Sequence, residues 1–319
     1  MHPPLPARAP QAPVVRLESV LVLAGLSLAM AGFAPNFVSL GNFLNILLAT
    51  SVIGVLAIAA TFVLSSAGLD LSMGSVLAVA GVVTGVLCVH LGLPWFVGGA
   101  GGILAGMVLG AVNGALIARA GIPAFIVTLG MHSVGRGLAL LIADGKPIYG
   151  LPGAITFLGQ GRLLGVPMPV WIFLALVVIF HLILSRTRFG RYTLVIGDNE
   201  MAARVTGIDV ATHTIRLYVL SGALAALAGL LFAARVNAAD PTAGAGYELS
   251  AITAAVIGGT NLFGGRGTVI GTLIGALIMG VLQNGLNLMA VASFYQQVAI
   301  GTVLVLAVWL DRIRDRRRV

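Results

Sequence analysis

Residues 43–66 read FLNILLATSVIGVLAIAATFVLSS, 24 positions without one charged side chain. A helix rises about 1.5 Å per residue and the hydrocarbon core of a bilayer is about 30 Å thick, so about 20 apolar residues make one crossing. In lipid, backbone polar groups must be satisfied within the protein, which leaves helices or closed barrels, and barrel strands are only about ten residues long. The stretch is a transmembrane helix.

Working outward, similar apolar runs cover 18–34, 72–91, 95–118, 123–142, 169–185, 214–235, 250–263, 268–288 and 293–310, giving ten spans. With 59% hydrophobic and 9% charged residues the chain is too apolar for a soluble domain. The fold class is all-α: a polytopic membrane bundle of about ten helices with both termini cytoplasmic. The eighth run is short, and reads either as a span broken by Gly258, Gly259 and Gly264 or as a re-entrant element. The lone Cys88 permits no disulfide within the chain.

Against this background residues 186–216, RTRFGRYTLVIGDNEMAARVTGIDVATHTIR, form a hydrophilic island with eight of the chain's 28 Asp, Glu, Lys and Arg residues. Such a segment cannot lie in hydrocarbon. Ten crossings from a cytoplasmic N-terminus put fourteen basic residues inside: Arg8, Arg16, Arg119, five in the island, Arg266 and five in the tail DRIRDRRRV. Only Lys146, Arg162 and Arg235 fall outside. That asymmetry places the island in the cytoplasm, and a re-entrant eighth segment would put either island or tail on the wrong side. The net charge of +8 then reflects topology and contact with anionic lipid, not nucleic acid.

Three regions follow: a disordered, proline-rich cytoplasmic stretch 1–17, a membrane domain 18–310 carrying a cytoplasmic loop 186–213, and a basic cytoplasmic tail 311–319. The first span serves as a signal anchor in preference to a cleaved signal peptide. The Gly- and Pro-rich outer loop 143–169 is either a partner site or an ordered connection. In the fourth span Gly98, Gly102, Gly106, Gly110 and Gly114 recur every fourth residue, a ridge that lets another backbone approach closely. An intrachain neighbour is favoured over a second copy. Gly271 and Gly275 repeat the pattern on a smaller scale.

Catalytic chemistry is hard to assemble. No GxxxxGK[ST] loop is present, and the only lysine is Lys146, so ATP hydrolysis is not expected of this chain. The GGRG at 264–267 fits no dinucleotide fingerprint and reads as a tight turn. Five scattered histidines lack metal-site spacing. The acids Asp70, Asp240 and Glu248 fall at expected span ends, which argues against ion coupling. Asp70 and Ser72 are either a helix cap or part of a solute path. Neutral polar residues, among them Asn45, Asn113, Thr128, Asn261 and Asn284, suit a polyhydroxylated solute and equally suit interhelical hydrogen bonding.

Within the island, Asp198 or Asn199 is a good N-cap, Glu200, Met201, Ala202, Ala203 and Arg204 are helix formers, and Gly207 is a natural terminator. A two-turn helix of about 10–12 Å results, too short to cross a membrane and shaped for a groove in a soluble partner, or else a solvated loop helix.

The run IGDNEMAARVTGIDV and, some forty residues on, GAGYELSAITAAVIGGTNLFGGRGTVIGTLIGALIMGVLQNGL closely resemble the permease subunits of bacterial ATP-binding-cassette importers for monosaccharides, of the ribose, xylose and galactose type. So do NFLNILLATSVIGVLAIAATFVLSSAGLDLSMGS and GAVNGALIARAGIPAFIVTLGMHSVGRGLALL in the first half. The likeness spans about 40–310, and Asp198 stands where the family's GGN has its second glycine.

The resemblance implies a multi-pass protein of the bacterial inner membrane that works as a homodimer or beside a similar permease. Cytoplasmic ATPase subunits holding ATP and Mg would drive it, and a periplasmic sugar-binding protein would feed it. No cofactor is implied for this chain. The motif match carries the coupling role to Gly197, Asn199, Glu200, Ala202, Ala203, Gly207 and Ile208. The competing reading is a stand-alone channel or ion-coupled carrier for a small neutral solute.

Overall fold

The computed structural model describes residues 17–316. The proline-rich stretch up to residue 16 and the last three residues of the basic tail lie outside the described residues. The chain runs α1 (Leu17–Phe33), α2 (Leu40–Ser65), α3 (Met73–Gly85) continued by a π-helical turn (Val86–His90), α4 (Trp95–Ala118) and α5 (Ala124–Ile142). A short insertion follows, with β1 (Ile148–Tyr149), α6 (Gly153–Gln160), β2 (Arg162–Leu163) and β3 (Val166–Pro167). Then come α7 (Met168–Arg186), α8 (Arg188–Asp198), α9 (Glu200–Val205), α10 (Val210–Val236), β4 (Ala238–Ala239), α11 (Tyr247–Ile257), α12 (Val269–Leu288) and α13 (Ser293–Arg316).

Each of the ten expected spans contains a helix, although the eighth, expected at 250–263, is helical only to Ile257. Among the described residues seven (α2, α3 with its turn, α4, α5, α7, α10 and α12) are long and apolar enough to cross a membrane, while α1, α11 and the stretch Ser293–Trp309 of α13 are apolar but shorter. The starts are locally encoded. Pro94, Pro123, Pro152 and Pro167 immediately precede α4, α5, α6 and α7, where a fixed φ and a missing N–H do no harm. Ser39, Thr187, Asn199, Asp209 and Thr268 cap α2, α8, α9, α10 and α12, each accepting an amide hydrogen three residues on.

The opening stretch of the sequence is the axis of the bundle: α2 is buried without interruption from Thr50 to Ser65, enclosed by α7, α10, α11 and α12. A helix apolar on every side belongs there. The glycine ridge of α4 is consumed inside the chain. A Cβ at Gly106 would fall 2.5 Å from Gly222 O, one at Gly102 2.6 Å from Ala80 O and one at Gly114 2.7 Å from Ile215 Cα, so α4 lies backbone to backbone on α3 and α10. Gly271 and Gly275 bring α12 onto α11 in the same way, against Gly258 and Ala254.

The short eighth segment is resolved by its ends. Before it, β4 pairs antiparallel with β1 of the insertion after α5, Ile148 opposite Ala239. After it, Gly265 N donates to Ser65 O at the end of α2, beside the island. The chain therefore passes from the far end of the bundle to the island end, which a re-entrant hairpin would not do. The irregular part is 240–246, ahead of α11, and the glycines from 258 onward make the turn after it. The insertion between α5 and α7 is ordered, with Gln160 Nε2 donating to Arg235 O (3.1 Å) and Trp171 Nε1 to Leu163 O (3.1 Å).

Candidate functional site

The island folds into two helices. α9 is six residues, about 9 Å long. Asn199 Oδ1 accepts from Ala202 N (2.9 Å) at its start. At its end Gly207 takes φ +83°, with Gly207 N donating to Arg204 O (3.0 Å) and Ile208 N to Ala203 O (3.1 Å), a Schellman closure. Arg204 Nη2 pairs with Glu200 Oε1 at 2.6 Å on the exposed side. Ala203 is fully buried in a small cluster with Ile196, Val210 and Ile208, so it seats the helix. Met201 (70% exposed), Ala202 and Val205 (82%) face outward. Hydrogen bonds from the Thr212 hydroxyl and amide hold the Asp209 carboxyl below the usual carboxylate range.

α8 was not expected. Its signal is the spacing of Phe189, Thr193 and Ile196, one face of a helix, with Thr187 Oγ1 capping Gly190 N (3.2 Å). Thr193 reaches His213 Nε2 (2.9 Å), tying α8 to α10. Gly197 is the tightest joint. A Cβ there would collide with Ser65 O and stand 2.6 Å from Gly265 N, and Gly265 in turn packs on Asp198. The island is thus clamped to the end of α2 and to the turn between α11 and α12.

A second constellation lies inside the bundle. The connection 66–72 after α2 turns inward, and Asp70 is only 4% exposed. Its Oδ1 accepts from Ser72 N (2.9 Å) and Ser72 Oγ (2.6 Å), and its Oδ2 from Ser221 Oγ of α10 (2.6 Å). Asn113 Nδ2 of α4 donates to Ser72 Oγ (3.0 Å), Tyr218 Oη to Leu69 O (3.0 Å) and Thr128 Oγ1 of α5 to Leu69 O (3.3 Å). Asp70, Ser72, Asn113 and Thr128 therefore converge on one joint. Ser72 makes no side-chain cap for α3, so Asp70 acts as a cross-link between α3 and α10 more than as a helix cap.

Asp70 and Glu248 do lie at helix ends, Asp70 in the connection 66–72 before α3 and Glu248 in the first turn of α11, but both side chains are buried. Glu248, the second residue of α11, is 8% exposed, and a Cβ on Gly74 would collide with its Oε2 and with Gly244 O. Asp240, half-buried, accepts from Thr242 N and Oγ1 (both 2.7 Å). α5 touches both segments: His132 Nδ1 meets Leu71 O (3.2 Å), and Arg136 Nη1 donates to Pro241 O (2.6 Å) and Ala243 O (2.9 Å). The i, i+4 spacing of His132 and Arg136 is the signal that would have found this face.

The remaining polar residues lie elsewhere. Asn284 of α12 forms a reciprocal amide pair with Asn42 of α2 (2.8 and 3.0 Å). Asn261 lies in the turn after α11, accepting from Phe263 N (2.8 Å), and Asn45 is exposed on α2.

Residues 42–308 match the family model described as a branched-chain amino acid transport system/permease component. Among curated proteins the chain is 42% identical over 298 residues to the "Ribose import permease protein RbsC" of Escherichia coli (strain K12), 92% of each chain. It is 44% identical over 289 residues to the protein of the same name in Bacillus subtilis (strain 168), 87% of each. To the "L-arabinose transport system permease protein AraH" of Escherichia coli (strain K12) it is 40% identical over 299 residues, 94% of this chain and 91% of the relative. No solved structure matches. The chain belongs to this permease family: it is a multi-pass protein of the inner membrane and a transport component, not an enzyme.

Proposed function

We propose that this family member forms the pathway for a monosaccharide in an ATP-binding-cassette importer, as one of two permease subunits, and takes its driving force from a separate ATPase gripping α9. The relatives are named for ribose, L-arabinose and D-allose, which points to an aldose of five or six carbons. Fourteen basic residues against three put the island in the cytoplasm, within reach of ATPase subunits that hold ATP and Mg. The outer loop then faces a periplasmic sugar-binding protein.

The observation that carries the reading is the build of α9. A helix capped at both ends, seated on Ala203 and offering Met201 and Val205 to solvent is a rigid handle with an apolar grip. Through Gly197 the handle bears on α2 and on the α11–α12 turn. Closure of the ATPase pair would push there, and only contacts that differ between outward- and inward-open states shift the balance. The test is uptake of labelled D-ribose, L-arabinose or D-allose into proteoliposomes. Uptake that appears only with ATPase, ATP and binding protein supports the reading, and flux through the permease alone favours a channel or ion-coupled carrier.

A further inference from the structure

Where α5 meets the start of α11, two ionisable side chains each keep one buried atom without a partner. Arg136 spends Nη1 on Pro241 O and Ala243 O, while its Nη2 is buried and unpaired. Glu248, 8% exposed, leaves Oε2 unpaired beside Gly74, where the absent side chain makes room for it. Asp70, by contrast, is fully engaged by Ser72 and Ser221. Leaving a buried donor and a buried acceptor unmade is costly, and more so for ionisable groups.

One donor and one acceptor together select the complement. A lone anion would satisfy only the guanidinium and a lone ammonium only the carboxyl; a neutral polyol, the class of solute for which the curated relatives are named, meets both at once, its neighbouring hydroxyls donating to Oε2 and accepting from Nη2. The two atoms are buried, but exposed residues flank them. Beside Arg136, Ser133 is exposed and Gly137 has no neighbour within 4 Å, and Ala245 and Gly246 are exposed just before Glu248. We propose that Arg136 and Glu248 form a hydroxyl-binding station that holds a vicinal diol of the sugar on its way through the bundle. This rests on the pathway reading given above.

The test uses the whole importer in proteoliposomes, with labelled D-ribose uptake and ATP hydrolysis measured side by side. Glu248→Gln and Arg136→Gln should each lower uptake about tenfold while hydrolysis stays within about twofold, and the double variant should be no worse than the weaker single. D-ribose should raise the unfolding temperature of the native chain and not that of Glu248→Gln. Native uptake with unchanged uptake in both variants overturns the station and leaves the pathway reading intact. So does a joint fall of uptake, hydrolysis and unfolding temperature, which would make the pair structural. ATP-independent flux through the native permease alone, or no uptake of ribose, arabinose or allose by the complete native importer, overturns both.

Discussion

Gly197, one residue from the end of α8, packs so closely on Ser65, the last residue of α2, that any side chain on it would run into the Ser65 carbonyl oxygen. At this point the island meets the central helix main chain to main chain, a contact that neither rotates away nor stretches, and Phe189 of α8 adds a ring contact with Phe62 of α2.

That contact yields the first prediction. Gly197→Ala places a methyl against backbone that has no flexible end to move, so the island must lift off α2 at a cost of about 1–3 kcal/mol. Uptake should fall about tenfold or more, while α9 keeps its caps and exposed face and ATPase co-purification survives. Uptake at the native level would show that force does not pass this way.

The grip itself is tested on the other side of α9. Met201→Asp or Val205→Asp puts a charge on the exposed apolar face without disturbing the bundle, and ATPase co-purification should drop severalfold or vanish. Ala203→Asp should fail for a different reason, since it buries a charge in the Ile196–Val210 cluster and melts the island. Glu200→Ala should matter little to stability, because an exposed i, i+4 pair contributes about 0–1 kcal/mol.

Hydropathy made the spans legible, and cap chemistry made α9 legible almost to the residue: Asn199 and Gly207 act as their types require. What stayed hidden depends on long-range approach. The sequence places Asp70 and Glu248 beside apolar runs, and nothing local says that the adjoining segments turn inward. Arg136 falls within an apolar run, and its acceptors, Pro241 and Ala243, lie more than a hundred residues away. Asn284 was legible as polar but not as the partner of Asn42.

The Asp70 joint should be a stability element. Ser221→Ala leaves Oδ2 without its donor inside the bundle and should cost about 1–3 kcal/mol, read as a lower unfolding temperature in detergent. Asp70→Ala should cost more, since it strips acceptors from Ser72 and Ser221 together. Asp70→Asn should cost least, because an amide keeps an acceptor for Ser72 and offers a donor to Ser221. A reversed order would make Asp70 a functional group with little structural role.

The glycine ridge separates close packing from composition. In Gly106→Ala the new methyl would stand 2.5 Å from Gly222 O and 2.6 Å from Ala226 Cβ, so α4 and α10 must part along their whole contact. Without a hydrophobic drive between helices in lipid, that contact is held by van der Waals packing and close backbone approach, and a loss of about 1–3 kcal/mol follows. Gly25→Ala is the control. It also lies within a helix, α1, but has nothing within 4 Å, so the change should be neutral or stabilising by about 0.5–1 kcal/mol from helix propensity alone. Unfolding temperatures of the two variants in one detergent decide the matter. If both shift alike, the ridge serves some purpose other than holding α4 on α10, and the intrachain account of the pattern fails.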